Sequence, residues 1–551
     1  MARSLSLSSA ARRPRVLEGE RLRHLAGFAL TGIVAIPILG PLAFLAWKGL
    51  GPGVGEFLGR MSELGLLWII ARVSLLAVVT TALAIFWAVP LAWLTARTDL
   101  PGRDIIHWLA PLPLAIPPYI GALVYQILLA PSGAFNHMVA RMAGQPPSQV
   151  QVVNIYSLWG AAWVLSLFTY PYIYLLVRAA LDRANPALEE VAHAAGMGRW
   201  GVARHVILPL LRPSLLAGSL MVFLYCWADF GVVSLLRVRT LTSVIYDYVQ
   251  GTMDWVVPAG LSVVLVLMTI GLLLGQLRFL GRARYTQVTS RSRPPERIPL
   301  GAGARRLAYG FVALVMSCSF FLPVVVLILQ ASRLGIGELA AVLSLEMRAV
   351  VNSLWMAALG ATLALLLALA VGWFQERRRR GWGASTLFQV GYAIPGTVLG
   401  LGLVGFFHTT LPWVYASPLV VALGYVVLFT TPAFQAVKAA IEQISLSLEE
   451  AARALGRGSL RTFWEVTLPL IRPGLVGGWV LVFILSMREL AATLIVRPPG
   501  FDTLPVRIWI YTMDIGPEPR AAALALTLVA LVAIPWLALM LWRPRAIAWS
   551  S

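Results

Sequence analysis

At 551 residues, the chain is 59% hydrophobic and only 12% charged, with a mean hydropathy of +0.79, and a soluble globule of that make-up would carry apolar surface it had no means to bury. The formal charge of +20 would suit a nucleic-acid partner, but the arginines sit in short clusters between long apolar runs, and that spacing argues against nucleic acid. Membrane lipid is the solvent that fits.

Residues 1–24 read as a basic cytoplasmic arm bearing Arg3, Arg12, Arg13, Arg15, Arg21 and Arg23. The apolar run that follows is too long for a signal peptide and lacks a small-residue cleavage site, so a retained first span is predicted. Apolar runs at 25–47, 66–94, 105–130, 159–177, 215–235 and 257–277 are each near the roughly 20 residues that cross a bilayer. A second series lies at 311–329, 350–374, 388–407, 419–437, 475–490 and 521–542, about a dozen spans altogether. Backbone groups in hydrocarbon must be satisfied within their own segment, so the fold class is all-α. Arg97 and Arg103, Arg183 to Arg212, Arg282 to Arg297, Arg377 to Arg380 and Arg453 to Arg472 occupy alternate loops. By the positive-inside rule these loops and both termini are cytoplasmic. Cys226 and Cys318 fall within apolar runs and imply no disulfide framework.

A duplication organises the chain. Leu188-Glu189-Glu190-Val191-Ala192-His193-Ala194-Ala195-Gly196 returns as Leu448-Glu449-Glu450-Ala451-Ala452-Arg453-Ala454-Leu455-Gly456, and Leu208-Pro209 returns as Leu468-Pro469. Both pairs share one register, since 449 − 189 = 260 and 469 − 209 = 260. Asp229 with Glu489 and Arg237 with Arg497 continue it, and Ala115-Ile116-Pro117-Pro118 matches Ala393-Ile394-Pro395-Gly396 after loop-length drift. The prediction is two tandem parallel six-helix repeats, 25–280 and 306–551, joined by a cytoplasmic linker at 281–305 rich in Arg, Ser and Pro. Parallel repeats are related by an axis along the membrane normal, with the pathway at their interface.

The repeated loop has a readable design. Ser447 precedes Glu450 by three, the capping-box spacing, and the acidic pair Glu449 and Glu450 suits a helix N-terminus. In the first copy Asn185 and Pro186 form an N-cap and first-position pair. Gly196 and Gly456 are expected to end the short helices in the left-handed conformation. A second amphipathic stretch, with Leu460, Phe463 and Val466 at helical spacing, is expected to stop at Pro469, and Pro473 to start the next span.

Glu450-Ala451-Ala452, three residues, Gly456, nine residues and then Val466-Thr467-Leu468-Pro469 resembles the Glu-Ala-Ala loop of binding-protein-dependent ABC importer permeases. The first copy departs from it with Val191 in place of Ala. The resemblance covers nearly the whole chain. It implies that Glu189, Glu190, Ala192, Gly196, Leu208, Pro209 and their second-copy equivalents form coupling loops for a homodimer of a cytoplasmic ABC ATPase, with an extracytoplasmic solute-binding protein as the other partner. ATP and Mg would be used by that ATPase and no cofactor bound by this chain. Consistently, Lys48 precedes Gly49 and Lys438 precedes Ala439, so neither lysine lies in a phosphate-binding G-x-x-x-x-G-K-[ST] loop.

Glu489-Leu490-Ala491-Ala492-Thr493-Leu494, Arg497-Pro498-Pro499-Gly500-Phe501-Asp502-Thr503-Leu504 and Ala228-Asp229-Phe230-Gly231-Val232-Val233 look like stretches of ferric-iron permeases. Related fused permeases serve thiamine, phosphonates and polyamine-like solutes, which remain the alternatives. Asp229 and Glu489 are candidate pathway residues, because an ionisable group at membrane depth usually faces a bundle interior or water. The competing reading pairs them with Arg237 and Arg497 as structural salt bridges. Asp247, Asp254, Asp502 and Asp514 add carboxylates to the outward loops, and oxygen ligands suit hard trivalent iron. The six histidines lack metal-ligand spacing, so no fixed metal site is expected. An ion-coupled secondary transporter is the rival class, but no acidic residue adjoins the helix-breaking Pro117-Pro118 or Pro395-Gly396 in sequence. No nucleophile, base and orienter cluster suggests an enzyme.

Overall fold

The computed structural model describes residues 32, 35–51, 53–146, 152–251, 254–280, 297–376, 384–516 and 518–541. The predicted arm at 1–24, residues 281–296 of the linker and Arg377 to Arg380 lie outside the described residues. Among the helices, in chain order, are α1 (Val54–Leu64), α2 (Leu66–Arg97), α3 (Arg103–Leu109), α4 (Pro118–Leu129), α5 (Ala134–Met142), α6 (Leu158–Arg183), α7 (Pro186–Ala194), α8 (Leu208–Ala228), α9 (Gly231–Leu235), α10 (Leu241–Gly251) and α11 (Val256–Leu280). There follow α12 (Ala302–Met316), α13 (Leu322–Ala331), α14 (Met347–Glu376), α15 (Ala384–Ala393), α16 (Gly396–Thr410), α17 (Leu419–Glu442), α18 (Leu446–Ala454), α19 (Leu468–Met487), α20 (Ala491–Val496), α21 (Leu504–Asp514) and α22 (Pro519–Leu541). Ten helices among the described residues are long and apolar enough to cross a membrane, or up to twelve if two bent helix pairs each count as one span.

The run predicted as one span at 105–130 is broken. Pro111 and Pro113 have no N–H to offer the carbonyls of His107 and Leu109 four residues back, so α3 ends at Leu109 and gives way to a 3-10 turn at Leu112–Ala115, after which Pro117 and Pro118 open α4. Ile116 donates its N–H to the Pro113 carbonyl at 3.1 Å, and the Leu114 carbonyl accepts from the Arg488 guanidinium. The matching Ala393-Ile394-Pro395-Gly396 also breaks its helix, with Leu387–Ala393 and Gly396–Thr410 bent by 110°.

By contacts the chain forms two compact units, and each draws on both halves of the sequence. The larger comprises Ala46–Ser353, Pro395–Gly400 and Met487–Ser551. Its core is the packing of α2, α6 and α8, where Leu76, Leu91, Leu165 and Tyr170 are buried. Gly218 of α8 lies so near α6 that an added Cβ would stand 2.8 Å from the Ile173 Cα. Helices α12 and α13 belong to this unit, and the Tyr125 hydroxyl of α4 donates to the Cys318 carbonyl between them at 3.0 Å. The described end of the linker is tied here too. Ile298 forms a parallel bridge with Thr98, and Leu300 donates its N–H to Asp99 at 2.8 Å.

The smaller unit comprises Met1–Leu45, Leu354–Ile394 and Leu401–Ser486. Small residues set its helix spacings. Gly402 faces Pro41, Gly360 faces Tyr425 and Gly478 faces Ala436, each at a separation that an added Cβ would reduce below 3.0 Å. The Trp479 indole donates to Thr362 at 3.0 Å.

Candidate functional site

The loop after α6 folds as a helical hairpin, and so does its counterpart after α17. Asn185 caps α7 by accepting the Ala187 N–H at 3.1 Å, with Pro186 at the first helical position. In the second copy the cap is Ser445, which accepts the Ser447 N–H at 3.2 Å. The expected capping box starting at Ser447 does not form, because α18 begins two residues earlier than that spacing implies. Both helices end alike. Gly196 and Gly456 have φ of +85° and +84°. The N–H groups of Met197 and Arg457 donate to the carbonyls of Ala192 and Ala452 at 3.0 and 3.2 Å, which closes a Schellman turn in each copy. Ala192 and Ala452 are buried under this turn, while Glu190 and Glu450 are exposed. Leu188, Val191 and Met197 on the first hairpin, and Leu448, Leu455 and Leu460 on the second, are also exposed.

Beyond the turn the sequence reading needs correction. Pro469 does not stop the helix and Pro473 does not start one. The chain passes from a short α turn through a five-residue π turn into α8 or α19, with Pro213 and Pro473 inside those helices. The π turns span Ala203–Ile207 and Phe463–Thr467, again 260 residues apart. Their origin is the Leu-Pro pair. A proline ring collides with the carbonyl four residues back, and the preceding N–H then reaches five back, Leu208 to Ala203 and Leu468 to Phe463. The same device recurs at Leu322-Pro323, where Leu322 bonds to Ser317.

The first glutamate of each pair anchors its hairpin differently. Arg97, at the end of α2 and 2% exposed, donates to Glu189 at 2.5 Å. Glu449 is also 2% exposed and accepts from the Thr467 hydroxyl at 2.8 Å within its own hairpin. At the position of Thr467 the first copy has Ile207, which cannot donate, so its glutamate relies on the transmembrane helix.

Asp229 and Glu489 follow α8 and α19 and occupy equivalent positions. Asp229 accepts the N–H groups of Val232 and Val233 at 3.0 and 3.2 Å. Glu489 accepts those of Ala492 and Thr493 at 2.8 and 2.9 Å, together with the Thr493 hydroxyl. Each carboxylate therefore sits at the amino end of a short helix, α9 or α20. Neither meets its expected arginine: Arg237 lies over the Tyr156 ring, and Arg497 pairs with Asp502. An acid does adjoin one helix break in space, since a Cβ added to Gly396 would lie 3.0 Å from the Glu489 carboxylate. Of the outward carboxylates, Asp254 pairs with Arg60 at 2.8 Å and Asp502 also faces Arg507 at 3.5 Å.

The duplicated hairpin corresponds to a known family. The binding-protein-dependent transport system inner membrane component matches residues 88–280 and again 360–543. The chain belongs to this family. As such a permease it is a multi-pass inner-membrane protein. It is 28% identical over 516 residues to the Fe(3+)-transport system permease protein FbpB 2 of Haemophilus influenzae, covering 91% of this chain and 95% of that one. A probable ABC transporter permease of Sinorhizobium fredii is 24% identical, over 92% of this chain and 95% of its own. A putative 2-aminoethylphosphonate transport system permease of Salmonella choleraesuis is 31% identical over 46% of this chain and 98% of its own length.

Several residues that shape the permease escape a reading of the sequence. Arg97 and Thr467 anchor the hairpins, Arg488 satisfies the first helix break, and Arg507 with Glu346 forms an ion pair joined by Tyr511. An arginine ending a span reads as a topology signal, and only the fold reveals that Arg97 is buried. Leu-Pro recurring in register was the visible cue to the π turns.

Proposed function

We propose that the permease forms the translocation path of an ATP-driven importer, powered by two copies of a separate cytoplasmic ATPase and supplied by an extracytoplasmic binding protein. The observation that carries this reading is the doubled hairpin. The two copies share a register, a left-handed glycine and a π turn, and each leaves exposed apolar side chains around an exposed glutamate, a surface suited to a two-fold partner. ATP and Mg belong to that partner and no cofactor to this chain. Both termini and the two hairpins face the cytoplasm.

Ferric iron is the proposed substrate, on the similarity to an iron-transport permease over nearly the full length of both chains. Asp229 and Glu489 are the proposed pathway acids, in addition to capping α9 and α20. The phosphonate reading is second, supported by one half-length relative. Radioactive ferric iron uptake into vesicles holding the permease, its ATPase and its binding protein tests both. Uptake that requires ATP and the binding protein is expected. Iron uptake without the ATPase would sink the importer reading, and ATP-dependent phosphonate uptake without iron uptake would move the assignment to the second.

A further inference from the structure

At the end of α6 opposite its coupling hairpin, a cavity of about 670 Å³ opens among α4, α5, Tyr156 and the end of α13. The 26 residues of α6 separate it from the hairpin by about 39 Å. Gln126 and Gln330 line it, although they are only 4% and 8% exposed. The Gln126 side-chain N–H donates to the Leu235 carbonyl at 2.5 Å, which leaves its oxygen as the free end. Both glutamine oxygens are buried and have no hydrogen-bond partner among the described residues, and a buried acceptor is costly to leave unmade.

His137, Arg141 and Arg333 also line the cavity, and no Asp or Glu does so among the described residues. Among the described residues neither arginine has an ion-pair partner. A third guanidinium approaches at Tyr156, where Arg237 lies 5.3 Å from the ring centroid. Arg237 has φ of +56°, the one left-handed non-glycine residue among those described, and such backbone persists where its surroundings hold it. The second repeat neutralises the equivalent Arg497 with Asp502. In the shared register the first repeat has Thr242 there, so Arg237 meets no carboxylate at that position.

We propose that this cavity binds a phosphate ester bearing free hydroxyl groups. The arginines and His137 supply donors and positive charge to the phosphate, and the ligand's hydroxyls donate to the two glutamine oxygens. A bare anion satisfies only the first set. Exposed Met138 and Met142 beside it give an apolar margin for a glycerol carbon chain or the start of an acyl chain. Such an ester has two sources, the phosphatidylglycerol headgroup of the membrane and free glycerol phosphate.

The test is thermal unfolding of the full chain, first in detergent with glycerol phosphate or phosphocholine, then in nanodiscs of phosphatidylglycerol or phosphatidylcholine. Stabilisation by glycerol phosphate, and not by phosphocholine, is expected in detergent if the free ester is the ligand. Stabilisation confined to phosphatidylglycerol nanodiscs identifies the lipid. In either case the R141A/R333A double variant, whose side chains are exposed, should fold and lose affinity by about tenfold or more, as expected for lost charge-assisted hydrogen bonds. Gln126→Leu should remove the preference for hydroxyl-bearing ligands; if it misfolds, the arginine variant decides alone. Equal stabilisation by phosphocholine, undiminished binding to R141A/R333A, or no stabilisation by either source overturns the proposal.

Discussion

Gly196 and Gly456 hold nearly equal left-handed φ values, and an added Cβ at either would meet nothing within 4 Å. Gly196→Val and Gly456→Val therefore cost backbone strain alone, on the order of 1 kcal/mol or more. The two variants should insert normally and weaken ATPase coupling to a similar extent, measured as transport-linked ATP hydrolysis; wild-type coupling in both would remove the hairpins' assigned role. The paired glutamates should separate by burial. Glu189→Gln leaves the buried Arg97 without its counter-ion and should lower unfolding stability by about 2 kcal/mol, a value below that of a fully buried pair because Glu189 is partly exposed. Glu190→Gln, on an exposed residue, should leave thermal unfolding nearly unchanged and act on ATPase docking. Equal melting shifts would contradict the anchor. The sequence places Glu189 and Glu190 side by side without distinguishing them, because their difference depends on which one the α2 end reaches.

Short helices α9 and α20 each begin under a carboxylate, and this dual use can be tested with side chains that keep or lose the acceptor. Asparagine caps about as well as aspartate, whereas alanine costs about 1 kcal/mol. Asp229→Asn should thus retain unfolding stability while Asp229→Ala loses it, and both should reduce ferric iron uptake if the charge lies on the pathway. Reduced uptake in the alanine variant only would leave capping as the residue's sole role. At this scale the spans, the hairpin helices and their glycine ends were legible, since hydrophobic run length, asparagine before proline and glycine at a helix end are local signals. The Pro117-Pro118 pair was legible as a helix breaker, but residues 105–130 still read as one span, and the π turns were not foreseen. Residues 105–130 are long and mostly apolar, so run length alone does not locate a break that proline geometry imposes. Likewise Pro469 reads as a terminator, yet the helix continues by widening its preceding turn.

Across the whole molecule, contact units and sequence repeats do not coincide. The larger unit combines residues 46–353 with 395–400 and 487–551, and the smaller one combines residues 1–45 with 354–394 and 401–486. Residues 1–290 or 291–551 expressed alone should therefore give unstable, protease-sensitive protein, and co-expression of both should restore a folded permease, assayed by monodispersity in detergent and by uptake. A stable, monodisperse single half would contradict the shared units. The duplication itself was plain in the sequence, since one register of 260 residues links motif after motif, but a register compares positions and does not reveal which segments pack together. The mixed units also bear on stoichiometry. Two half-length chains would have to find each other in the membrane, and identical halves would compete for the same places. The covalent linker makes that meeting intramolecular and guarantees one of each half in every complex. With heterotypic pairing assured, neither hairpin has to work opposite its own copy, and the two are free to diverge, as the ion pair of one and the threonine hydrogen bond of the other already have.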